Sequence, residues 1–319
     1  MNAGEITRAA DALRAGRLVA FPTETVYGLG ADASSPDAVH RLFAVKGRPP
    51  DHPVIVHLGR VEQLSQWARE VPAIAATLAA ACWPGPLTLV LARAPHVPGA
   101  VTGGLDTVGL RVPDQPVALA LLREFGGGVV APSANRFGRV SPTTACDVRA
   151  DLGDDVDVVL DDGPCRVGVE STIVDCSRPE PAILRLGGIP RERVEALLGT
   201  RVPLLDTGEV RAPGTLSAHY APRARVELVD GASVTARADA ALATGVRVGV
   251  IALQIPVQLD SRVERVGNPA DTDAYAHSLY RYLRDADTRA LDVVLVVPPP
   301  AVGLGAAVAD RLRRAAGAG

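Results

Sequence analysis

Of the 33 basic side chains in this sequence, 32 are arginine and one is lysine, Lys46. A composition that has lost every other lysine and kept this one marks a position that needs a compact ammonium, able to slip between phosphate oxygens, and not a planar guanidinium fork. The run Lys46-Gly47-Arg48-Pro49-Pro50-Asp51-His52-Pro53 adds a second cation and three stiffening prolines, between a helix and a buried-looking strand. That is the pattern of an anion site. Other polar groups recur where apolar runs end. Phe21-Pro22-Thr23-Glu24-Thr25-Val26-Tyr27-Gly28-Leu29-Gly30 is a strand exit with hydroxyls and two glycines that permit close backbone approach. His57 closes the run Val54-Ile55-Val56-His57-Leu58, and Arg111 sits inside Val108-Gly109-Leu110-Arg111-Val112, where a guanidinium needs an anionic partner. Ser133 and Asn135, two residues apart, can face one pocket, and Gly168-Val169-Glu170-Ser171-Thr172 leads into another strand. Taken singly, each is also readable as a turn, a cap or a satisfied core group. Gathered around one sheet with Lys46 and Arg48, they point to a site for a polyanion beside a small polar substrate.

The elements that must position these groups alternate along the chain. Residues 5–15 read as an amphipathic helix stopped by Gly16, residues 17–21 as a buried strand, and Ser35-Pro36 as the cap and first turn of a second helix. Further strands are expected at 54–58, 87–92, 108–112, 128–131, 156–160, 171–175 and 182–186, with helices near 61–82, 115–124, 143–151 and 190–198. Several strands follow one another without a helix between them, so the fold expected is α/β with a mixed sheet. From about 202 to 224 prolines and glycines interrupt all periodicity, as in a linker, although His219-Tyr220 is unusual for a passive spacer. Strands at 225–229, 247–253, 262–266 and 292–297 then alternate with helices at 232–243, 270–286 and 303–316, the pattern of a smaller Rossmann-like α/β domain. The expected domains are therefore 1–201, a linker 202–224 and 225–319. Gly303-Leu304-Gly305 lacks the rest of a dinucleotide fingerprint and reads as a helix start.

Composition narrows the function. At 319 residues the chain suits two domains, and 3% aromatic content gives no base-stacking platform. The net charge of −3 does not announce nucleic acid as the main partner. Four irregularly spaced cysteines without a CxxC pair suggest neither zinc nor a disulfide framework. Nothing resembles a signal peptide or reaches membrane-spanning length, so the expected location is the cytoplasm and no membrane partner is expected. Pro132-Ser133-Ala134-Asn135 is no nucleophile elbow, and Lys46 is not in a Walker A loop.

The strand-exit run 21–30, Lys46-Gly47-Arg48-Pro49, Trp83-Pro84-Gly85-Pro86-Leu87-Thr88, Pro132-Ser133-Ala134-Asn135 and Gly168-Val169-Glu170-Ser171-Thr172-Ile173, in this order, resemble the signature of the YrdC-like threonylcarbamoyl-AMP synthases. Ser217-Ala218-His219-Tyr220-Ala221-Pro222 resembles the linker motif of the two-domain members. The resemblance implies a YrdC-like twisted sheet and a nucleotidyltransferase that converts L-threonine, bicarbonate and ATP to L-threonylcarbamoyl-AMP and pyrophosphate. A separate threonylcarbamoyl transferase would use that product to modify tRNA. It further implies Lys46 and Arg48 as the catalytic pair, with Thr23, His57, Arg111, Ser133 and Ser171 on the threonine side. Lys46, Arg48, Thr107, Asn135, Ser141, Arg185, His219 and Tyr220 would line the ATP side. Mg2+ is expected with the triphosphate, its protein ligand unknown, and the linker is expected to cover a reactive mixed anhydride. Related domains in hydrogenase-maturation carbamoyltransferases carry zinc-binding cysteine pairs absent from this sequence. The alternative from a different class is an RNA-binding or ribosome-maturation factor without nucleotide turnover; even as an enzyme, the chain leaves room for a weak RNA contact.

Overall fold

The computed structural model describes residues 2–205 and 220–317. The chain forms two compact units, Met1–Phe137 with Ser141–Thr215, and Gly138–Val140 with Leu216–Gly319. Among the described residues the first holds nine strands: β1 Val19–Phe21, β2 Gly28–Asp32, β3 Ile55–His57, β4 Leu87–Ala92, β5 Thr107–Arg111, β6 Val129–Val130, β7 Val158–Val159, β8 Thr172–Asp175 and β9 Ala182–Arg185. They lie in the order β7-β1-β2-β6-β3-β5-β4-β8-β9. The sheet is mixed, as the sequence predicts. Neighbours in the chain such as β1/β2 and β8/β9 pair antiparallel, whereas β3/β5 and β4/β8, separated by crossovers, pair parallel.

The two-residue period of the strands sorts their side chains. Val54, Val56 and Leu58, Leu87, Leu89 and Leu91, and Val108, Leu110 and Val112 all enter the main core. Their neighbours in sequence, Ile55 and His57, Thr88 and Val90, and Thr107, Gly109 and Arg111, must turn to the other face. Over β1 and β6 that second face is covered by the helices Ala3–Arg14 and Pro116–Phe125, which pack on Val19, Phe21 and Val129. Over β3, β4, β8 and β9 it carries only a small apolar cluster of Ile55, Val90, Ile173 and Leu184. The polar side chains singled out by sequence stand around this cluster.

Two local features differ from expectation. The helix expected over 61–82 is broken into Leu64–Trp67 and Ala73–Cys82, because Ala68 turns extended, the Arg69 amide bonds the Ala92 oxygen at 2.8 Å, and Pro72 cannot continue a helix. The glycine-rich exit 28–32 is itself a strand. A Cβ on Gly30 would lie 2.8 Å from the Phe21 ring, so glycine is what lets β2 lie against β1.

The second unit is a parallel sheet of β10 Arg225–Leu228, β11 Val248–Ile251, β12 Glu264–Gly267 and β13 Val293–Val296, in the order β10-β13-β11-β12. Helices Val234–Leu242, Thr272–Thr288 and Leu304–Ala316 follow β10, β12 and β13, while β11 and β12 follow one another without a helix between them. Residues 202–205, read from sequence as the start of the linker, run beside β9: the Ile183 amide bonds Pro203 and the Leu205 amide bonds Ile183. Residues 206–219, which include His219, lie outside the described residues.

Just past β9, a Cβ on Gly187 would fall 2.3 Å from the Glu170 oxygen and 2.4 Å from the Thr172 nitrogen. The Gly187→Ala variant is expected to lose about 1–3 kcal/mol of stability in urea unfolding, the usual range for overpacking. An unchanged midpoint would contradict this close approach.

Candidate active site

Lys46 is the last residue of the helix Pro36–Lys46. Ser35 caps the first turn by accepting from the Ala38 amide, Pro36 fixes the start, and Gly47 in the left-handed region (φ 65°) ends the helix at the lysine. The side chain is 3% exposed, and its Nζ donates to the backbone oxygens of Ser133 and Asn135, both at 2.6 Å. The Phe137 amide returns a bond to the Lys46 oxygen at 2.8 Å, so the segment 133–137 is tied to the helix end twice. An ammonium has three donors, and these contacts use two. Burial first and the Arg48 charge second hold its pKa well below the ordinary value, with Asp151 pulling the other way and Arg136 adding a smaller push down. Arg48 is also buried, donates to the Pro53 oxygen at 2.7 Å and lies 6.0 Å from the Phe43 and Phe137 ring centres.

The anionic partner that Arg111 requires comes from the protein. Its Nη2 donates to Glu24 Oε1 at 2.7 Å and to Thr25 Oγ1 at 2.9 Å, with both charged side chains almost fully buried. Thr23 Oγ1 shares a 2.7 Å bond with Thr25 Oγ1, so the strand exit 23–25 wraps around the guanidinium. His57 is the register partner of Arg111 across β3 and β5, and the two side chains share a face. Burial first and the Arg111 charge second push the His57 pKa down to about 3, against a smaller pull from the Ile55 backbone oxygen. The imidazole is neutral, packs edge-on against Phe21 at 6.4 Å, and its Nδ1 is buried without a hydrogen-bond partner.

A third group gathers at β8. Ser171 Oγ meets Thr88 Oγ1 at 2.8 Å, and Arg185 from β9 donates to the Ser171 oxygen at 2.9 Å and its hydroxyl at 3.0 Å. Ser141 donates to Glu170 Oε1 at 2.7 Å. The structure thus joins Ser171 with Arg185, and Lys46 with Ser133 and Asn135. Thr107 faces the same side as Arg111 but at the other end of β5, about 13 Å along the strand. Tyr220 belongs to the second unit: its ring is 1% exposed, stacked on Tyr280 at 5.6 Å with the Arg311 guanidinium 5.1 Å above it. A cleft of about 160 Å³ includes Thr23 of the expected set, together with Glu24, Asp114 and Arg166. Four residues of this network were not picked out from sequence: Glu24, Thr25, Thr88 and Glu170. The one available signal is alternation, which puts Thr88 on the face of Val90 and Arg111.

A neutral buried histidine makes stability depend on pH, with a defined sign. Below about pH 6.5 the unfolded chain protonates His57, while the folded chain stays neutral until about pH 3. Full stability is therefore present above pH 6.5 and is lost as pH falls through that window. His57→Phe is expected to remove about 2 kcal/mol of the stability difference between pH 8 and pH 5, read by urea unfolding at both values. Equal pH sensitivity in the variant and the parent would contradict a neutral His57.

Comparison with known proteins identifies the family of the chain. The family model described as telomere recombination (Sua5/YciO/YrdC) matches residues 11–187, and the model for the threonylcarbamoyl-AMP synthase C-terminal domain matches residues 189–317. The threonylcarbamoyl-AMP synthase of Pyrococcus abyssi is 42% identical, over 98% of this chain and 94% of its own. That of Bacillus subtilis is 40% identical, over 99% of this chain and 94% of its own. The crystal structure of P. abyssi Sua5 complexed with L-threonine superposes with a TM-score of 0.91 at 40% identity, covering 98% of this chain and 94% of that one. The two-domain α/β fold read from sequence is the fold of these relatives, and the chain belongs to the threonylcarbamoyl-AMP synthase family.

Proposed function

We propose that the chain condenses L-threonine, bicarbonate and ATP into L-threonylcarbamoyl-AMP and pyrophosphate, as a nucleotidyltransferase of the cytoplasm serving tRNA modification. The observation that carries this reading is the similarity, over 98% and 99% of this chain, to enzymes of that name. The RNA-binding alternative has no observation in its favour.

The chemistry needs position more than a nucleophile. The threonine nitrogen bonds to the bicarbonate carbon with loss of water and a proton, giving a carbamate. A carbamate oxygen then attacks the α-phosphorus, and the bond to the β-phosphate oxygen breaks to release pyrophosphate. Charge accumulates on the phosphates, where buried, pre-oriented cations are most effective because they need not reorganise. Lys46 and Arg48 take that role, Lys46 with the ammonium donor left over from its two carbonyl bonds. Thr23, His57, Arg111, Ser133 and Ser171 line the threonine side; Thr107, Asn135, Ser141 and Arg185 line the ATP side. Among the described residues no cluster of three or more His, Cys, Asp or Glu side chains could cage a metal. A Mg2+ held chiefly by triphosphate oxygens and water would neutralise phosphate charge. A downstream threonylcarbamoyl transferase would consume the product.

Pyrophosphate release measured with each substrate omitted in turn tests the activity. Release should require L-threonine and bicarbonate together; equal turnover of ATP alone, or none in any mixture, would remove the assignment. Lys46→Arg keeps the charge but puts a wide fork where two carbonyls converge on one nitrogen. It is expected to lower kcat/KM at least about 30-fold, the scale of one or two charged hydrogen bonds. Unchanged kinetics would make the lone lysine a compositional accident.

A further inference from the structure

Glu24 lies outside every residue set expected from the motifs, yet it is 2% exposed and bonded to the most buried arginine of the face. Its Oε1 takes the Arg111 bond, while Oε2 is buried with no hydrogen-bond partner. An ionised carboxylate oxygen left unpaired in the interior is costly, so a fold that keeps one there has a use for it. Two neighbouring facts narrow that use. The bonds that fix Arg111 run through Nε and Nη2, to Gly85, Glu24 and Thr25, so none of them occupies Nη1. His57, the register partner of Arg111 on β3, also holds its Nδ1 buried with no hydrogen-bond partner among the described residues. The guanidinium thus keeps a donor edge beside a carboxylate oxygen that no described residue engages.

A zwitterionic α-amino acid is the complement of such a pair. Its carboxylate matches guanidinium donors in geometry and charge, and its ammonium matches a carboxylate oxygen. Resting on the proposed reaction, we infer that Glu24 and Arg111 recognise threonine as a zwitterion, Arg111 holding the carboxylate and Glu24 Oε2 the α-amino group. The buried ion pair is then a binding element whose two outer edges are left for the substrate. Once the ammonium has passed a proton to water, an N–H bond to Oε2 still fixes the nitrogen and leaves its lone pair for the bicarbonate carbon. Glu24 ends the step as it began, a carboxylate.

The test compares L-threonine with its amine-free analogue, 2,3-dihydroxybutanoate of matching configuration, by calorimetry on the full chain and on Glu24→Gln. The parent should prefer threonine by about ten- to a hundredfold, the size of one charge-assisted hydrogen bond. In Glu24→Gln that preference should largely vanish, with the affinity for the analogue changed by no more than about twofold. Equal affinity of the parent for both ligands would overturn the inference, whether or not the variant folds. So would a variant that weakens both ligands alike, which is a packing effect, or one that weakens Mg·ATP and leaves threonine untouched. A parent that turns over threonine normally but shows no preference sinks the Glu24 assignment alone; a parent that neither binds nor turns over threonine sinks the proposed function itself.

Discussion

The site depends on one buried ammonium held between two carbonyl oxygens. Lys46 reaches Ser133 and Asn135, 87 and 89 residues away, and by doing so fixes the loop that follows β6 against the end of the helix Pro36–Lys46. Desolvating an ammonium is expensive, and two short carbonyl bonds repay only part of that cost. The lowered pKa expresses the same deficit. In the proposed reaction a polyanion would supply the missing stabilisation, and the strain of keeping this charge indoors would become affinity for a triphosphate. Much of the surrounding structure serves that contact. Gly47 stops the helix at the lysine, Phe137 ties back to it, and the Ala134 amide bonds the Tyr27 oxygen, which brings the strand exit 22–27 into the same network.

The sheet gives the network a place to stand. Strands of period two that bury one face completely leave the other face to be decided by what covers it. Two helices cover that face over β1 and β6, and over β3, β5, β4 and β8 it is given to His57, Arg111, Thr88 and Ser171 around a small apolar cluster. Threonine and nucleotide chemistry needs such a surface, because hydrogen bonds to charged groups gain strength where water is excluded. The cost appears as unpaired atoms, Glu24 Oε2 and His57 Nδ1, which a fold selected for stability alone would have satisfied.

How much of this was legible in the sequence follows from how local each signal is. The helix Pro36–Lys46 could be read because Ser35, Pro36 and Gly47 each act on their own backbone. Most strands could be read because branched apolar runs carry their own preference. The isolation of Lys46 among arginines pointed to its special role, and an arginine in an apolar strand announced that an anion was required. Which anion was not legible: Glu24 lies 87 residues from Arg111, and only the folded topology brings them together. The pairing of His57 with Arg111 is a matter of sheet register, equally invisible in either strand alone. The strand Gly28–Asp32 was hidden because glycines lack strand preference; what makes it a strand is pairing with β1 and β6, and the Phe21 ring leaves no room for a side chain at Gly30. The break before Ala73 was signalled by Pro72, but the extended turn at Ala68 is set by the distant Ala92 oxygen.

Because Lys46 is the sole lysine, labelling lysine with carbon-13 at the ε position gives one side-chain resonance that reports the central interaction directly. The account requires that resonance to titrate well below 10.5, the ordinary lysine value, and to move when Mg·ATP is added. A midpoint near 10.5 with no response to nucleotide would mean that the ammonium is solvated and that the triphosphate is held elsewhere.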